Sequence, residues 1–237
     1  MPGYNPSMPQ SQLIDALTAR RGRFAPVIDF DLGSGEVVVF DFTETNTDLL
    51  HLDINDVTGF TEFLFAKIAD SQNPVGIGRY DEDRVLYRHS PLFDGDAERR
   101  SVHLGIDLFV IEGNEISTPL PAVVHSVTDN AGLGNYGPTV ILTHELEGTR
   151  FHTLYGHLSR SVLSRLSAGR KLSEGETLAE VGDLTENGGW PPHLHFQIID
   201  DDVGASGDYP GVATPSEREA FLKLCPDPNL ILGIPGI

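Results

Sequence analysis

Two helical and two strand-like patterns of apolar residues occupy the first third of the chain. Apolar residues recur at helical spacing over residues 11–20, and residues 56–69 show a second amphipathic pattern that opens on an aspartate cap. Between them, the apolar runs at 27–30 and 36–42 are separated by a Gly-Ser-Gly turn, which predicts a β-hairpin. Together these elements predict a small α/β unit over residues 1–80.

Beyond the first third, the pattern changes to short apolar runs interrupted by glycine and asparagine turns. Runs such as 122–127, 139–142 and 151–154 have the length and turn spacing of strands in an antiparallel β-sandwich or barrel. Near the end of the chain, residues 215–221 predict one or two helical turns, and residues 224–232 predict an extended segment. The chain as a whole is therefore predicted to be mainly β.

The length and these changes in pattern set the expected domain organisation. A chain of 237 residues is long enough to bury a core of its own. We expect an N-terminal α/β subdomain at 1–80, a β domain at 81–205 and a C-terminal extension at 206–237. The sequence leaves the oligomeric state open.

The charge of the chain is strongly negative, with 35 acidic residues against 16 basic ones and a formal net charge of −19. A field of that sign repels nucleic acid and anionic membrane surfaces, so neither is expected as a partner. The single cysteine, Cys225, excludes an intramolecular disulfide framework. No stretch approaches the ~20 apolar residues of a membrane-spanning helix.

Residues 1–10 are expected to form a flexible lead. They lack the basic and apolar segments of a secretory signal. This predicts a cytoplasmic protein, or an extracytoplasmic one if a signal has been removed.

The segment 190–199 contains the first candidate for chemistry. Its apolar end predicts a strand, and strand side chains repeat every second residue, so His193 and His195 are expected on the same face. Such a pair places one metal ligand beside a second basic group. Two histidines on an exposed strand are also a common arrangement of solvated side chains, so a metal site needs ligands from elsewhere in the chain.

A second polar pair lies in the segment 102–108, where His103, Gly105 and Asp107 share one face of a predicted strand. The glycine is expected to leave space for an ion. On its own, the pair is accounted for by a hydrogen bond between histidine and aspartate. Together with His195 it supplies two imidazoles and one carboxylate, and three such ligands leave the fourth corner of a tetrahedral zinc ion for water, as in catalytic sites.

A further histidine, His157, follows a strand-like run and precedes a predicted loop. If it faces the same cleft as His193, two unligated imidazoles flank the zinc-bound water and can accept its proton or stabilise an oxyanion. The remaining histidines are expected to be surface or packed residues: His51, His89, His125, His144 and His152.

These motifs resemble those of the lysostaphin/LytM-like zinc metallopeptidases, peptidase family M23. The motifs that carry the resemblance are His103-x-x-x-Asp107, Tyr-Gly-His157-Leu and His193-Leu-His195-Phe. They stand in the order and approximate separation of the family, over about residues 90–199, and the turns between them match the family's framework. The resemblance implies that the β domain at 81–205 has the antiparallel β-core of that family.

Carried over to these positions, the resemblance implies zinc ligation by His103, Asp107 and His195 and catalytic roles for His157 and His193. The implied reaction is hydrolysis of a peptide bond. The zinc ion polarises the carbonyl and lowers the pKa of its water, one histidine takes the proton, and the pair stabilises the tetrahedral intermediate. The implied substrates are peptides derived from peptidoglycan or containing glycine.

Departures from the family pattern leave alternatives open. The segment 93–100 lacks the tyrosine that some lysostaphin-like members place beside the oxyanion, and Arg99 and Arg100 are expected to be solvated rather than to replace it. Family members usually act outside the cytoplasm, and no export signal is recognised in this sequence. One alternative is a catalytically silent M23-like module that binds peptides or activates a partner enzyme. The other is a phosphoryl carrier of related β architecture, which uses paired histidines. The carboxylate of Asp107 suits a metal and therefore favours the peptidase over the carrier.

Overall fold

A computed structural model describes residues 10–33, 37–53, 56–89, 91–94 and 98–237. The α-helices are α1 Gln10–Arg20, α2 Val57–Ala69, α3 Val162–Arg165, α4 Arg218–Leu224 and α5 Asn229–Leu232. The strands are β1 Val38–Phe40, β2 Gly76–Gly78, β3 Val102–His103, β4 Ile106–Phe109, β5 Glu115–Ser117, β6 Ala122–Asn130, β7 Gly137–Leu146, β8 Thr149–Gly156, β9 Lys171–Leu172, β10 Thr177–Glu180, β11 Leu194–Ile199 and β12 Val212–Ala213. Short 3-10 helices lie at Thr47–His51, Val85–His89, Pro91–Phe93 and Pro215–Glu217. The predicted flexible lead and the Gly-Ser-Gly turn lie outside the described residues, except for residues 10 and 33.

One large eight-stranded sheet forms the centre of the fold, in the order β1-β2-β4-β11-β8-β7-β6-β9. Its neighbouring strands are antiparallel except β1 and β2, which are parallel. Two-stranded sheets pair β5 with β10 and β3 with β12. Apolar side chains of β5 and β10 join those of the large sheet in one core cluster. The prediction of a mainly β fold is confirmed.

The predicted hairpin between residues 27–30 and 36–42 is wrong. Among the described residues, β1 pairs in parallel with β2, and Ile28 makes an isolated bridge to β5. The cause is tertiary packing, because the ring of Phe40 in β1 lies against Gly76 in β2. A Cβ on that glycine would stand 2.4 Å from the ring. The strand therefore pairs where its aromatic side chain fits, and not with its neighbour in sequence.

Both helices predicted in the N-terminal part are confirmed as α1 and α2. Asp56 caps α2, since its side chain accepts a hydrogen bond from the N–H of Gly59 at 3.1 Å. The helical turns predicted after the β domain are confirmed as a 3-10 turn followed by α4.

The extended segment predicted at 224–232 is wrong in its last part, because residues 229–232 form the short helix α5. The side chain of Asn229 holds this helix against the chain that follows it. Its amide donates to the carbonyl of Ile234 at 2.9 Å and accepts from the N–H of Ile234 at 2.6 Å. This local bridge favours the helical turn over an extended strand.

The helices of the N-terminal part pack on the sheet in two places. Helix α1 contributes to the same core cluster as β7 and β8, whereas α2 covers a cluster of aromatic residues from β1 and β4. Strands β1 and β2 extend the large sheet beside β4. The division of the chain near residues 80 and 205 stays a prediction. Within the described ranges, no helix has both the length and the apolar character needed to cross a membrane.

Candidate metal centre

Three strands bring the predicted metal ligands together. Strand β11 lies between β4 and β8, and His195 of β11 is paired directly across the sheet with Asp107 of β4. His103 reaches the same place from β3, where it is paired with Val212 of β12. All three ligand side chains are buried. Cross-strand pairing therefore sets the ligands within reach of one another.

The ligand atoms form a compact triangle. Nε2 of His103 lies 3.2 Å from Oδ1 of Asp107 and 3.0 Å from Nδ1 of His195. Nδ1 of His195 lies 3.0 Å from the same Oδ1. A tetrahedral zinc ion with ligands at about 2.0–2.1 Å holds two ligand atoms about 3.3 Å apart. The three atoms therefore have the spacing that one metal ion requires.

Hydrogen bonds on the outer side of each histidine leave lone pairs on the inner nitrogens. Nδ1–H of His103 donates to the carbonyl of Arg79 at 2.9 Å, so Nε2 carries a lone pair. Nε2–H of His195 donates to Oε1 of Gln197 at 2.9 Å, so Nδ1 carries a lone pair. The amide of Gln197 is oriented because its NH2 group donates to the carbonyl of Pro210 at 3.1 Å.

The charges of these groups complete a set of acceptors. Burial and the nearby Arg84 lower the pKa of His103 to about 4, so this imidazole is neutral at pH 7. Burial alone would raise the pKa of Asp107, but His103 and the guanidinium of Arg84 outweigh it and hold that pKa well below its usual range. Three lone pairs thus converge in a buried place, an arrangement that a cation stabilises. The residues fit a metal ion, and the His-Asp-His donor set is one that zinc accepts.

Arg84 is a buried cation that sequence reasoning missed. Its Nη1 lies 2.5 Å from Oδ2 of Asp107 and 3.1 Å from the hydroxyl of Tyr87, and its Nε lies 3.1 Å from Oε2 of Glu82. Asp107 therefore has Oδ1 left for a metal. The guanidinium fits beside Asp107 because Gly78 stands opposite, where a Cβ would lie 2.7 Å from Nη2. A Glu-Asp-Arg sequence in a polar stretch gave no signal to distinguish this arginine from a solvated one.

Gly105 makes room for the imidazole of His195. A Cβ at this position would lie 2.5 Å from Cε1 and 2.7 Å from Nε2 of His195. It would also lie 2.8 Å from the backbone carbonyl of Phe196. The absence of a side chain between the two polar residues of β3 and β4 therefore allows the imidazole of His195 to reach its position.

The two remaining histidines of the predicted site lie next to each other. The ring centroids of His157 and His193 are 4.2 Å apart. Nδ1–H of His157 donates to the carbonyl of Asn187 at 2.7 Å, and Nδ1–H of His193 donates to the carbonyl of Pro191 at 2.7 Å. Nε2 of His193 lies 3.8 Å from Oδ1 of Asp107. Since Nδ1 carries the proton in both rings, both Nε2 atoms carry lone pairs.

Burial keeps both imidazoles neutral. It lowers the pKa of His193 and holds the pKa of His157 well below its ordinary value. The backbone of His157 is left-handed, with φ of 62°, a conformation that persists only where the surroundings fix it. Its N–H donates to the carbonyl of Tyr136 at 2.9 Å, and its carbonyl accepts from Gly182 at 2.9 Å. The site is thus held rigidly at this residue.

A tyrosine lies at the site although the segment 93–100 before His103 contains none. The ring centroid of Tyr136 is 5.6 Å from that of His157 and 5.2 Å from that of His195. Its buried hydroxyl has no hydrogen-bond partner among the described residues. Sequence reasoning missed it because the site's tyrosine was sought only in the segment 93–100.

The two arginines of that segment behave differently from each other. Arg99 pairs with the exposed side chain of Asp94. Arg100 lines the cavity above the metal centre, with its guanidinium 5.6 Å from the ring centroid of Phe93. Arg100 thus packs its guanidinium on an aromatic ring while its side chain stays partly exposed.

The other histidines with described side chains lie apart from the site, as expected. His144 is buried, donates from Nδ1 to the carbonyl of Pro121 at 3.1 Å and lies 2.7 Å from Oγ1 of Thr153. The ring of His152 lies 5.4 Å from that of His125. The side chains at positions 51 and 89 lie outside the described part of the chain.

A cavity of about 320 Å³ joins these groups. All five residues that the sequence singled out line it, together with Arg84 and Tyr136. The structure therefore places three acceptor atoms that could hold a metal ion beside two neutral histidines in one cavity. Such a site is typical of metallohydrolases.

Residues 101–206 match the sequence model of Peptidase family M23. This part of the chain belongs to that family of metallopeptidases, and the resemblance seen in the motifs is confirmed. The matched range contains the three candidate metal ligands and both unligated histidines. Arg84 lies outside it.

Solved structures of other proteins show low similarity to the chain. A candidate M23 peptidase from Pseudomonas aeruginosa is 20% identical with a TM-score of 0.37, and the match covers 62% of this chain and 52% of that one. A zinc-containing peptidase from Vibrio cholerae is 23% identical with a TM-score of 0.33 over 46% of this chain and 31% of that one. The catalytic domain of the antimicrobial peptidase lysostaphin from Staphylococcus simulans is 18% identical with a TM-score of 0.35, and the match covers 49% of this chain and 77% of that one.

The match thus spans 52% and 31% of the lengths of the first two structures. No curated protein matches the sequence of this chain. At these TM-scores the structural similarities carry no argument of their own.

Proposed function

We propose that this chain is a zinc-dependent endopeptidase, and that its substrates are peptides derived from peptidoglycan or containing glycine. The observation that carries the proposal is the triangle of acceptor atoms, with sides of 3.0–3.2 Å, beside two neutral histidines. Membership of residues 101–206 in a metallopeptidase family supports it.

His103, Asp107 and His195 would hold the zinc ion through Nε2, Oδ1 and Nδ1. When bound, zinc supplies a Lewis acid that lowers the pKa of a bound water and polarises the scissile carbonyl. Arg84 and Gln197 orient two of the ligands by hydrogen bonds on their outer sides. Outer contacts of this kind fix the geometry of a site before the metal binds.

His193 is the candidate general base. Its Nδ1–H is bound to the carbonyl of Pro191, so Nε2 is the atom that takes a proton from the attacking water. The proton can then pass to the leaving amine. His157 lies against it, and because its Nδ1–H donates to the carbonyl of Asn187, its Nε2 is a second basic atom able to accept the proton of the attacking water. The short distance between the two rings disfavours charging both at once.

Metal content is the first test. Protein purified without chelator is expected to contain about one zinc ion per chain, as a site with three protein ligands requires. EDTA is expected to abolish hydrolysis, and added zinc to restore it. Substrates are sought by mass spectrometry of peptidoglycan fragments and oligoglycine peptides, with EDTA controls. Absence of zinc from chelator-free protein would overturn the enzymatic proposal.

Two histidine variants test the roles. His195→Ala is expected to lose zinc, whereas His193→Ala keeps zinc and loses hydrolysis by at least ~100-fold, the contribution of a positioned general base. His125→Ala, a histidine away from the cavity, serves as the control and is expected to retain both. Full activity in both His193→Ala and His195→Ala would show that the roles are assigned wrongly. Zinc binding without hydrolysis of any peptide would favour the catalytically silent module.

A further inference from the structure

An aromatic wall borders the unligated histidines on one side of the cavity. The ring centroids of Tyr87 and Phe93 are 4.5 Å apart, and both rings contact Trp190, at 6.1 and 6.4 Å. Val212 packs into the same cluster. We call these four residues the aromatic wall. They come from distant parts of the chain and share this cavity.

The aromatic wall adjoins the groups proposed to carry out hydrolysis. The ring of Trp190 lies 6.4 Å from that of His157, centroid to centroid. On the far side of the histidine pair, Phe109 stacks on His193 at 5.0 Å. A substrate whose scissile carbonyl lies beside these histidines therefore places the side chain of an adjacent residue against Trp190.

The position of Trp190 is fixed by a buried side chain. Asn187 accepts a hydrogen bond from the N–H of Trp190 at 3.0 Å and donates to its carbonyl at 2.8 Å. The same side chain accepts from the N–H of Gly189 at 3.1 Å. The loop that leads into the catalytic histidine thus presents a preformed apolar surface, which lowers the entropy cost of binding a ligand there.

The chemistry of the aromatic wall selects among ligands. Aromatic rings can attract a cation, but Arg84 and Arg100 already stand 5.9 and 5.6 Å from the rings of Tyr87 and Phe93. A third cation would meet their repulsion. An apolar group meets none, and it gains from removing apolar surface from water. A glycine residue has no side chain to cover this surface.

We infer that the aromatic wall is a binding pocket for a large apolar side chain, aromatic or branched aliphatic, on the residue next to the scissile bond. The inference rests on the proposed peptidase function and narrows its substrate class. Peptides with glycine on both sides of the scissile bond are then poor substrates, whereas glycine on one side only is compatible with the pocket.

Binding can be read without catalysis, because Trp190 is the single tryptophan of the chain. The zinc-loaded His193→Ala variant is titrated with two blocked tetrapeptides, Ala-Ala-Phe-Ala and Ala-Ala-Gly-Ala, and tryptophan emission is recorded. The phenylalanine peptide is expected to change the emission with an affinity about 10- to 100-fold higher than the glycine peptide, the range that burial of one large apolar side chain supplies. N-acetylglucosamine is the third probe, since sugars also stack on aromatic rings.

Hydrolysis by the unaltered protein supplies the second readout. The ratio of kcat/KM for the two tetrapeptides is expected to favour phenylalanine by a similar factor. Phe93→Ala removes part of the aromatic wall. Leu92→Ala shortens a neighbouring side chain of the cavity. Because Leu92 is 39% exposed, Leu92→Ala leaves the core intact. Both are expected to lower the ratio at least ~5-fold. Ile111→Ala, 62% exposed and outside the cavity lining, is the matched control and is expected to leave the ratio unchanged.

The outcomes separate the pocket from the peptidase. Cleavage of both peptides with equal or higher kcat/KM for glycine would overturn the pocket while the peptidase stands. A failure to cleave any peptide, together with tight binding of the phenylalanine peptide at Trp190, would overturn the peptidase and support the pocket. Emission that responds to N-acetylglucosamine but not to the phenylalanine peptide would overturn the pocket in favour of a sugar site.

Discussion

Gly105→Ala tests whether the metal centre depends on the space left by a glycine in the chain between two ligands. The added Cβ would stand 2.5 Å from Cε1 of His195. Non-bonded carbon atoms prefer a separation of about 3.5 Å, so the ring has to retreat by about 1 Å. A small shift of Gly105 does not relieve the clash instead, because the backbone carbonyl of Phe196 lies 2.8 Å from the same Cβ.

This displacement is large compared with the tolerance of a metal site. Zinc ligand distances are held to about ±0.2 Å, so a ligand moved by about 1 Å no longer reaches the ion in its ordinary geometry. We expect the zinc affinity of Gly105→Ala to fall at least ~100-fold, comparable to the loss of a ligand's orientation. Overpacking of this kind is also expected to lower the free energy of unfolding of the metal-free protein by about 1–3 kcal/mol.

Zinc affinity is measured by competition with a chromophoric chelator, and stability by urea unfolding in EDTA. Gly33→Ala is the matched control, because among the described residues its added Cβ would meet only Oδ1 of Asp31, at 3.5 Å. This control is expected to keep the wild-type zinc affinity and to change stability by less than about 0.5 kcal/mol. A Gly105→Ala protein that folds and binds zinc as tightly as the wild type would refute the role given to this glycine.

Two further predictions concern buried charge and pH. Arg84→Met leaves the buried carboxylate of Asp107 without its arginine and Glu82 with the half-exposed Arg79 alone, and it is expected to lower the free energy of unfolding by about 3–5 kcal/mol in urea titrations. The exposed Arg218→Met is the control, expected to cost less than about 1 kcal/mol; equal losses would contradict this. Burial lowers the pKa of His144 from 6.5 to about 4. Between these pH values the unfolded chain therefore binds one more proton than the folded chain. The free energy of unfolding is expected to fall as the pH drops from about 6.5 towards 4, by up to about 3 kcal/mol. His144→Gln is expected to flatten that part of the pH dependence relative to the wild type, and an unchanged slope would contradict the assignment.

The sequence alone predicted the mainly β fold class, the two N-terminal helices and the set of candidate site residues. It could do so because these features depend on short spacings. Alternation along a strand places His193 and His195 on one face, and a helix such as α2 is set by its own apolar spacing and by the cap at Asp56. The order and separation of the motifs along the chain then indicated a resemblance to peptidase family M23. The match of residues 101–206 to the model of that family confirms it.

The tertiary structure decided what depends on contacts between distant residues. Strand β1 does not form the predicted hairpin because Phe40 packs on Gly76, and α5 is helical because of a bridge across its end. Arg84 enters the site because Gly78 stands opposite Asp107, and a position such as Arg84 shows no periodic pattern in the sequence.

The aromatic wall is a further result of the tertiary structure alone. Tyr87, Trp190 and Val212 are each unremarkable in their local sequence, and they meet because the 3-10 helix Val85–His89, strand β12 and the loop before β11 converge on one cavity. The sequence by itself thus determined which side chains are the candidates for metal binding and proton transfer. The fold determined which partners hold those side chains, since close packing joins residues without regard to their separation along the chain.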